Sequence, residues 1–466
     1  MFERDACAKL VSLLTGRDGV RQTASSKVAW LASCTLLIAA CGGDADPPEV
    51  SSTPTTPATP TTPTTPTTPA SAASAATVVE SFAGSEWFLG RVPTAAVAAD
   101  ADLEPIRLGM INQEDTPLGS YPEVRVAAEA AVAWINSELG GVAGRPVELL
   151  TCVTSFDPDQ SRTCALDLLE AGVVAFVGGV DVTSERSIAE IEAAGLAVFG
   201  GVPANLAEQR SDRVFAFSGG DVGALAAFLF HASERGASTV VIGFGEGVPS
   251  FEVAARDYGQ AVGEMLGLEV ELVPYPIFTE DPSVVFDPAE AADADVIVLA
   301  ATSSCAPFMR AASESGRQLY LTGACADVQA LSAAGDAVSS VLFNAEGSFE
   351  STLADAAIYQ AVTERYADEP AFGAGTVSFR GVMNLYALML EAGSDLTTET
   401  LVGLARSSQM RPSFWGHPYT CDGAQVPGLP ALCAPQEIIF GVNPDGAAVA
   451  VTDWIATDEL FAALDP

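Results

Sequence analysis

The stretch from Ile106 to Pro158 limits what this 466-residue chain can fold into more than any other. It opens on an apolar run, Ile106-Arg107-Leu108-Gly109-Met110-Ile111, short and β-rich enough to predict a buried strand. A polar, turn-forming segment from Asn112 to Tyr121 leads to Pro122, whose missing N–H suits the first turn of a helix. Val124, Ala128, Val132, Ile135 and Leu139 then keep the spacing of one helix face. Gly140-Gly141 tolerate the left-handed backbone that ends such a helix, and Pro146 to Leu150 reads as a second buried strand. Two strands joined by so long a connection form a parallel, right-handed crossover unit.

The unit repeats. Strands are predicted at Val173–Val177, Leu196–Phe199 and Val214–Phe217, with helices near Gln160–Glu170 and Ser184–Ala194. Past Gly219-Gly220 the alternation restarts with a helix over Val222–Arg235. Strands Thr239–Gly243, Leu268–Tyr275, Val296–Ala300 and Gln318–Thr322 follow, with helices at Phe251–Leu266 and Ala306–Ser315. One sheet of this length would be unusual, so the pattern predicts two α/β lobes, each a doubly wound parallel sheet. Open sheets of this kind bind ligands beyond the carboxyl ends of their strands. Two facing lobes would therefore share a ligand cleft, lined by loops 112–121, 178–184, 200–205, 245–251, 302–305 and 323–327.

Acidic residues outnumber basic ones 60 to 21, a formal charge of −39. Such a field repels nucleic acid and anionic lipid, which excludes both as partners. Val28 to Ala40 is a mostly apolar run behind Arg17, Arg21 and Lys27, too short to span a bilayer comfortably and laid out like a secretory signal. It ends in Ile38-Ala39-Ala40-Cys41-Gly42, which resembles the lipobox of bacterial lipoproteins and implies cleavage before Cys41 and its lipidation. Ser51 to Pro69 is dominated by Thr-Thr-Pro repeats that cannot form a core, so a disordered tether is predicted, reaching roughly 60 Å if extended as polyproline II. Residues 1–40 are thus assigned to a signal peptide and 41–102 to a tether and N-terminal extension.

Six further cysteines fall into sequence-close couples, and an oxidising exterior predicts the disulfides Cys152–Cys164, Cys305–Cys325 and Cys421–Cys433. No Cys/His spacing suits a metal, and no cofactor is expected. Catalysis finds no support. His231 falls within a predicted helix, His417 beside a proline, and no G-x-S-x-G elbow exists. Gly243-Phe244-Gly245-Glu246-Gly247 places its third glycine one position early for a dinucleotide turn and puts an acid where phosphate would approach. Phe414 and Trp415 either line the cleft or belong to the core, the core being favoured slightly.

The run Asn136-Ser137-Glu138-Leu139-Gly140-Gly141-Val142-Ala143-Gly144-Arg145-Pro146-Val147-Glu148-Leu149 resembles a signature of type I periplasmic binding proteins of the branched-chain amino-acid class. Asp157-Pro158 and Val177-Gly178 resemble that family's next segments, and the likeness extends loosely to Trp454. It implies a solute-binding lipoprotein on the outer face of the cell membrane that delivers a small molecule to an ABC permease. A sensor of the same fold, partnering a membrane signalling protein, is the alternative. It also implies three crossings between lobes, placed near Gly219, near Phe343 and after Phe414. That assigns 103–220 and 343–413 to the first lobe and 221–342 and 414–466 to the second.

The cleft candidates are Ser120, Tyr121, Asp181, Thr183, Ser184, Val202, Asn205, Phe251 and Asp327. The pattern departs from the family where amino acids are held. Val182 stands where a serine is expected, unless a slip of one place lets Thr183 serve. Ala204 stands in place of a threonine, and Asp327 lies two or three residues late for the acid that would hold an ammonium. The expected solute is therefore not leucine, isoleucine or valine bound tightly. An amide or a small apolar acid is expected instead.

Overall fold

The computed structural model describes residues 93 and 95–464, apart from 117–118, 300–303, 348–353, 372 and 444–445. The expected signal segment, Cys41 and the Thr/Pro tether lie outside the described residues. The first strand, β1 (Ile106–Gln113), is central because it is apolar on both faces. It pairs in parallel with β2 (Val147–Thr154) and β3 (Ala175–Val177), Leu108 facing Leu149 on one side and Ala175 on the other. β4 (Val198–Phe199) and β5 (Val214–Phe215) complete a five-stranded parallel sheet in the order β2-β1-β3-β4-β5. The helix Pro122–Glu138 starts on its proline, and Gly140 and Gly141 close it at φ +77° and +64°. Asn136 fastens it to the edge of β2, its amide donating to the Val147 carbonyl and accepting from the Val147 N–H, both at 2.8 Å.

The second sheet has seven strands, in the order β12-β11-β10-β9-β8-β6-β7. β6 (Thr239–Gly245), β7 (Glu269–Tyr275), β8 (Val296–Leu299), β9 (Gln318–Leu321) and β10 (Val341–Ala345) run parallel. β11 (Ile438–Val442) and β12 (Ala448–Ala450) add antiparallel strands at one edge. Side-chain alternation splits the core between the faces of this sheet. Val240, Ile242 and Phe244 point into one cluster with the helix Gly220–Glu234, while Val241, Ile297 and Leu319 point into the other. The first sheet divides likewise, with Leu108, Met110 and Phe199 on one side and Phe176 and Val198 on the other. The fold is the expected pair of doubly wound lobes.

Several elements differ from the sequence reading. β2 runs four residues beyond Leu150, because pairing with the whole length of β1 outweighs the polar Thr151 and Thr154. The helix predicted over Phe251–Leu266 contains a π-helical stretch, Ala254–Gly259, between Pro249–Val253 and Gln260–Met265. Phe343 lies within β10, a strand that the sequence reading did not include, and stacks on Phe440 of β11, ring centroids 5.3 Å apart. Residues 420–435 pack into the body of the fold. The Ala216 N–H donates to Ala431, the Cys433 N–H donates to Ala216, and Val426, Leu429, Leu432 and both cysteines are buried. The helices Ala354–Tyr366, Gly375–Ala392 and Thr398–Arg406 contribute to the first lobe's core.

All three expected disulfides form, with Cα separations of 5.5, 5.5 and 4.6 Å in chain order. No helix among the described residues is long and apolar enough to cross a membrane.

Candidate functional site

The carboxyl end of β1 carries three buried polar residues that shape the loop after it. Asn112 donates to the Tyr121 carbonyl at 2.8 Å and to Glu114 at 3.2 Å, and accepts from the Val180 N–H. Gln113 donates to Thr116 and to the Gly119 carbonyl, at 3.0 and 3.1 Å. Glu114 is paired with Arg125 at 2.9 Å. Ser120 is exposed, and its hydroxyl accepts from the Asp115 N–H at 3.0 Å. Sequence reasoning missed Asn112 and Gln113 as loop supports; their only signal is amide side chains ending an otherwise apolar strand.

The loops after β3 and β4 cross with backbone against backbone. A Cβ on Gly178 would lie 2.2 Å from the Gly200 carbonyl oxygen, and Gly200 itself adopts φ +80° beside Gly381. Only glycine fits such an approach. The polar candidates here are buried and bonded to one another. Asp181 accepts from Ser161 at 2.6 Å, from the Thr183 N–H at 2.9 Å and from the Thr183 hydroxyl at 2.7 Å. Asn205 donates to Ser184 and caps the short helix Leu206–Gln209. Glu208 accepts from the Ala204 N–H at 2.7 Å and from Asn205, with Ser184 as a further donor. Burial, reinforced by the Asp181 charge, lifts the Glu208 carboxyl to about 8 despite these donors. Val202 is half-buried against the first core, its N–H donating to Gly179.

From the second lobe, Ser250 reaches across to donate to the Ala204 carbonyl at 3.0 Å. Phe251 is buried in that lobe's core. Asp327 is exposed and caps the helix Val328–Ala334, accepting from Gln329 and Ala330 at 2.8 and 2.9 Å. Residues 302–303 of the 302–305 loop fall outside the described residues. Tyr121 closes the loop after β1 and is half-buried, its N–H donating to the Gln113 carbonyl at 3.2 Å. Burial pushes its phenol to about 12, and the charges of Glu123, Asp221 and Asp327 act in the same direction. Glu123 is itself raised, first by burial and then by Asp327 and Glu114, with backbone donors pulling back.

Arg380, Glu346, Ser218, Asn344 and Glu437 form a charged cluster that sequence reasoning missed altogether. Arg380 is 2% exposed and donates to the Glu346 carbonyl and carboxylate. The Ser218 hydroxyl donates to the same carboxylate. Asn344 donates to Glu437 at 3.0 Å. Burial and the Glu346 charge hold the Glu437 carboxyl well above the usual range, and the same two causes raise Asp221 to about 7. These residues are far apart in the chain, so only a lone arginine in the apolar run Phe379–Val382 hints at them. Phe414 is fully buried, whereas Trp415 packs partly buried against Tyr359, ring centroids 5.1 Å apart, its N–H donating to Asp355. Gly243 and Gly245 lie inside β6 rather than in a phosphate-binding turn. His231 is bonded to the Tyr320 hydroxyl at 2.7 Å.

Residues 105–424 match a family described as periplasmic binding protein. No curated protein sequence matches the chain. Among solved structures, a fatty acid ABC transporter substrate-binding protein from Thermomonospora curvata superimposes with a TM-score of 0.64 at 18% identity, over 78% of this chain and 96% of that one. A leucine binding protein from Thermotoga maritima gives 0.62 at 18% identity, over 76% and 99%. A solute binding protein of an ABC transporter from R. palustris, in complex with 4-hydroxybenzoate, gives 0.63 at 17% identity, over 76% and 97%.

Proposed function

We propose, from the premise that this chain belongs to the periplasmic binding protein family, that it captures a small solute between its lobes and delivers it to an ABC-type permease. The observation that carries this reading is the contact between the lobes at their strand ends, where Ser250 of the second donates to the Ala204 carbonyl of the first at 3.0 Å, while the charges of Asp221 and Asp327 act on Tyr121. The first lobe runs through 103–220 and 343–413 in this reading, and the second through 221–342 and 414–466. The role is binding rather than catalysis, as in the family at large. Tyr121, Ser120, Val202 and Asp327 are the residues proposed to meet the solute. Asp181, Thr183, Ser184 and Asn205 hold the loops in shape, and Phe251 supports the second lobe's rim.

The solute is proposed to lack a carboxylate. The backbone N–H groups of residues 178, 180, 182, 183 and 184, and those of 200, 202, 204 and 205, all donate within the protein. Glu208 sits on two of them with a carboxyl of its own. Arg380 is committed to Glu346. An anionic solute would enter an acidic cleft with its counter-charges already taken. An amide or an amine fits better than the small acid that the sequence leaves open. Hydrogen bonds to a charged group contribute about 1.5–3 kcal/mol each, so losing two or three moves a micromolar site toward millimolar. Calorimetry with leucine, isoleucine and valine tests this, with dissociation constants weaker than roughly ten micromolar expected. A tighter value for any of the three would sink the carboxylate argument.

Lipidation at Cys41 and the Thr/Pro tether are proposed to hold the protein at the outer face of the membrane. A Cys41→Ala variant should lose lipid labelling and remain uncleaved; normal processing would refute the anchor.

A further inference from the structure

We propose that Phe156 and Phe278 form an aromatic latch across the open edge of the cleft, and that this latch sets how much of the time the lobes stay closed. The proposal rests on the reading of the cleft as a solute site that opens and closes. β2 is an end strand of the first sheet and β7 an end strand of the second. The crossings leave from the opposite side, from β5, from β10 and into β11. Phe156 follows the carboxyl end of β2 and Phe278 that of β7, so the pair stands about as far from the crossings as the sheets allow. Their rings meet edge to face with centroids 6.4 Å apart. Both are exposed, at 38% and 51%, and neither belongs to a core cluster.

Each ring is held out on a braced turn. Phe156 adopts φ +62°, a left-handed conformation that a bulky side chain disfavours, so its neighbours must impose it. The Cys152–Cys164 disulfide ties β2 to the helix Pro158–Glu170 across this turn. Gln160 accepts from the Ser155 N–H and hydroxyl at 3.0 and 2.8 Å and donates to Val153 at 3.1 Å. Asp157 caps the helix that follows. On the other lobe, the Thr279 N–H closes a turn onto Pro276 at 2.9 Å, and buried Ile277 anchors it beneath Phe278. Rings preorganised in this way lose little freedom when they meet.

Rotation about the crossings moves the far edge most, so this contact breaks before those nearer the hinge, such as Ser250 on Ala204. An edge-to-face aromatic pair is strong enough to shift an equilibrium roughly two- to tenfold. Solute affinity would weaken by up to the same factor, because only the closed fraction grips.

Single-molecule energy transfer on the solute-free full chain tests the latch, with dyes carried by unnatural residues at exposed Asp167 and Glu290. Phe156→Ala and Phe278→Ala should each shift the population toward the wider separation by roughly two- to tenfold. The double variant should go no further than either single one. Phe156→Gly, whose backbone accepts φ +62° without strain, should open as far as Phe156→Ala while leaving the fold intact. Unchanged distances in either alanine variant, shifts that multiply in the double variant, or a closed Phe156→Gly protein would overturn the proposal. Because no solute is present, failure of the latch is distinct from failure of the binding reading.

Discussion

Replacing Arg380 with methionine keeps an unbranched, flexible stem while removing the guanidinium from the charged cluster. In the intact protein Arg380 is 2% exposed and bound to both the carbonyl and the carboxylate of Glu346. The variant leaves that carboxylate, 14% exposed, with Ser218 as its donor and with Asp221 and Glu437 for company. Breaking a buried pair from one side costs about 3–5 kcal/mol. The loss should depend on pH in a definite sense. Asp221 and Glu437 have folded pKa values raised above their unfolded ones. Groups of this kind contribute stability that is complete below the unfolded carboxylate range and is lost as pH rises through the folded value. For Asp221 that value is about 7. Without Arg380 the three carboxylates repel more strongly, so the deficit should be largest near pH 8 and shrink near pH 5. Urea unfolding of wild type and Arg380→Met at both pH values, disulfides intact, measures it. A deficit below about 1 kcal/mol near pH 8, or an equal deficit at both, would refute the reasoning.

Asp221→Asn should raise stability near pH 8 by about 1–2 kcal/mol, partial exposure cutting the full linkage of about 1.4 kcal/mol per pKa unit, and should gain nothing below about pH 4; urea titrations at the two extremes check it. Gly200→Ala should lose roughly 3 kcal/mol or more, because its Cβ would sit 2.6 Å from the Gly381 Cα at φ +80°, whereas Gly381→Ala, with 3.3 Å to its nearest neighbour, should be milder by thermal melting. Cys421→Ser with Cys433→Ser should cost about 3 kcal/mol in the chain-entropy model, read from the denaturation midpoint.

The parts of this fold legible in the sequence are those where local pattern and tertiary need agree. β1 is apolar on both faces because helices cover both sides of its sheet, and the helix Pro122–Glu138 shows its spacing because Val124, Ala128, Val132 and Ile135 are all buried. Cysteine couples were readable because the partners lie only 12, 20 and 12 residues apart in the chain. β10 and β11 were not legible, since their five residues each gain meaning only from pairing with one another across nearly a hundred positions of chain. The π-helical stretch drew no notice either, since Gly259 is its one strongly unfavourable residue for a helix and a single glycine does not specify a π-turn. Tyr121 drew notice because it follows the first strand. Arg380, Glu346, Glu437 and Asp221 did not, because residues so far apart in the chain meet only in the folded structure. Asp181, Ser184 and Asn205 drew notice as polar loop residues, yet a sequence does not show whether such groups face a ligand or one another.

The most direct test of solute capture is a crystal structure of the protein purified without refolding, read for density between the lobes. The account predicts a small, uncharged or cationic molecule against Tyr121, with Glu208 still accepting from the Ala204 N–H. A bound carboxylate that takes over the Ala204 amide, or an interlobe space filled by the protein's own side chains, would contradict it.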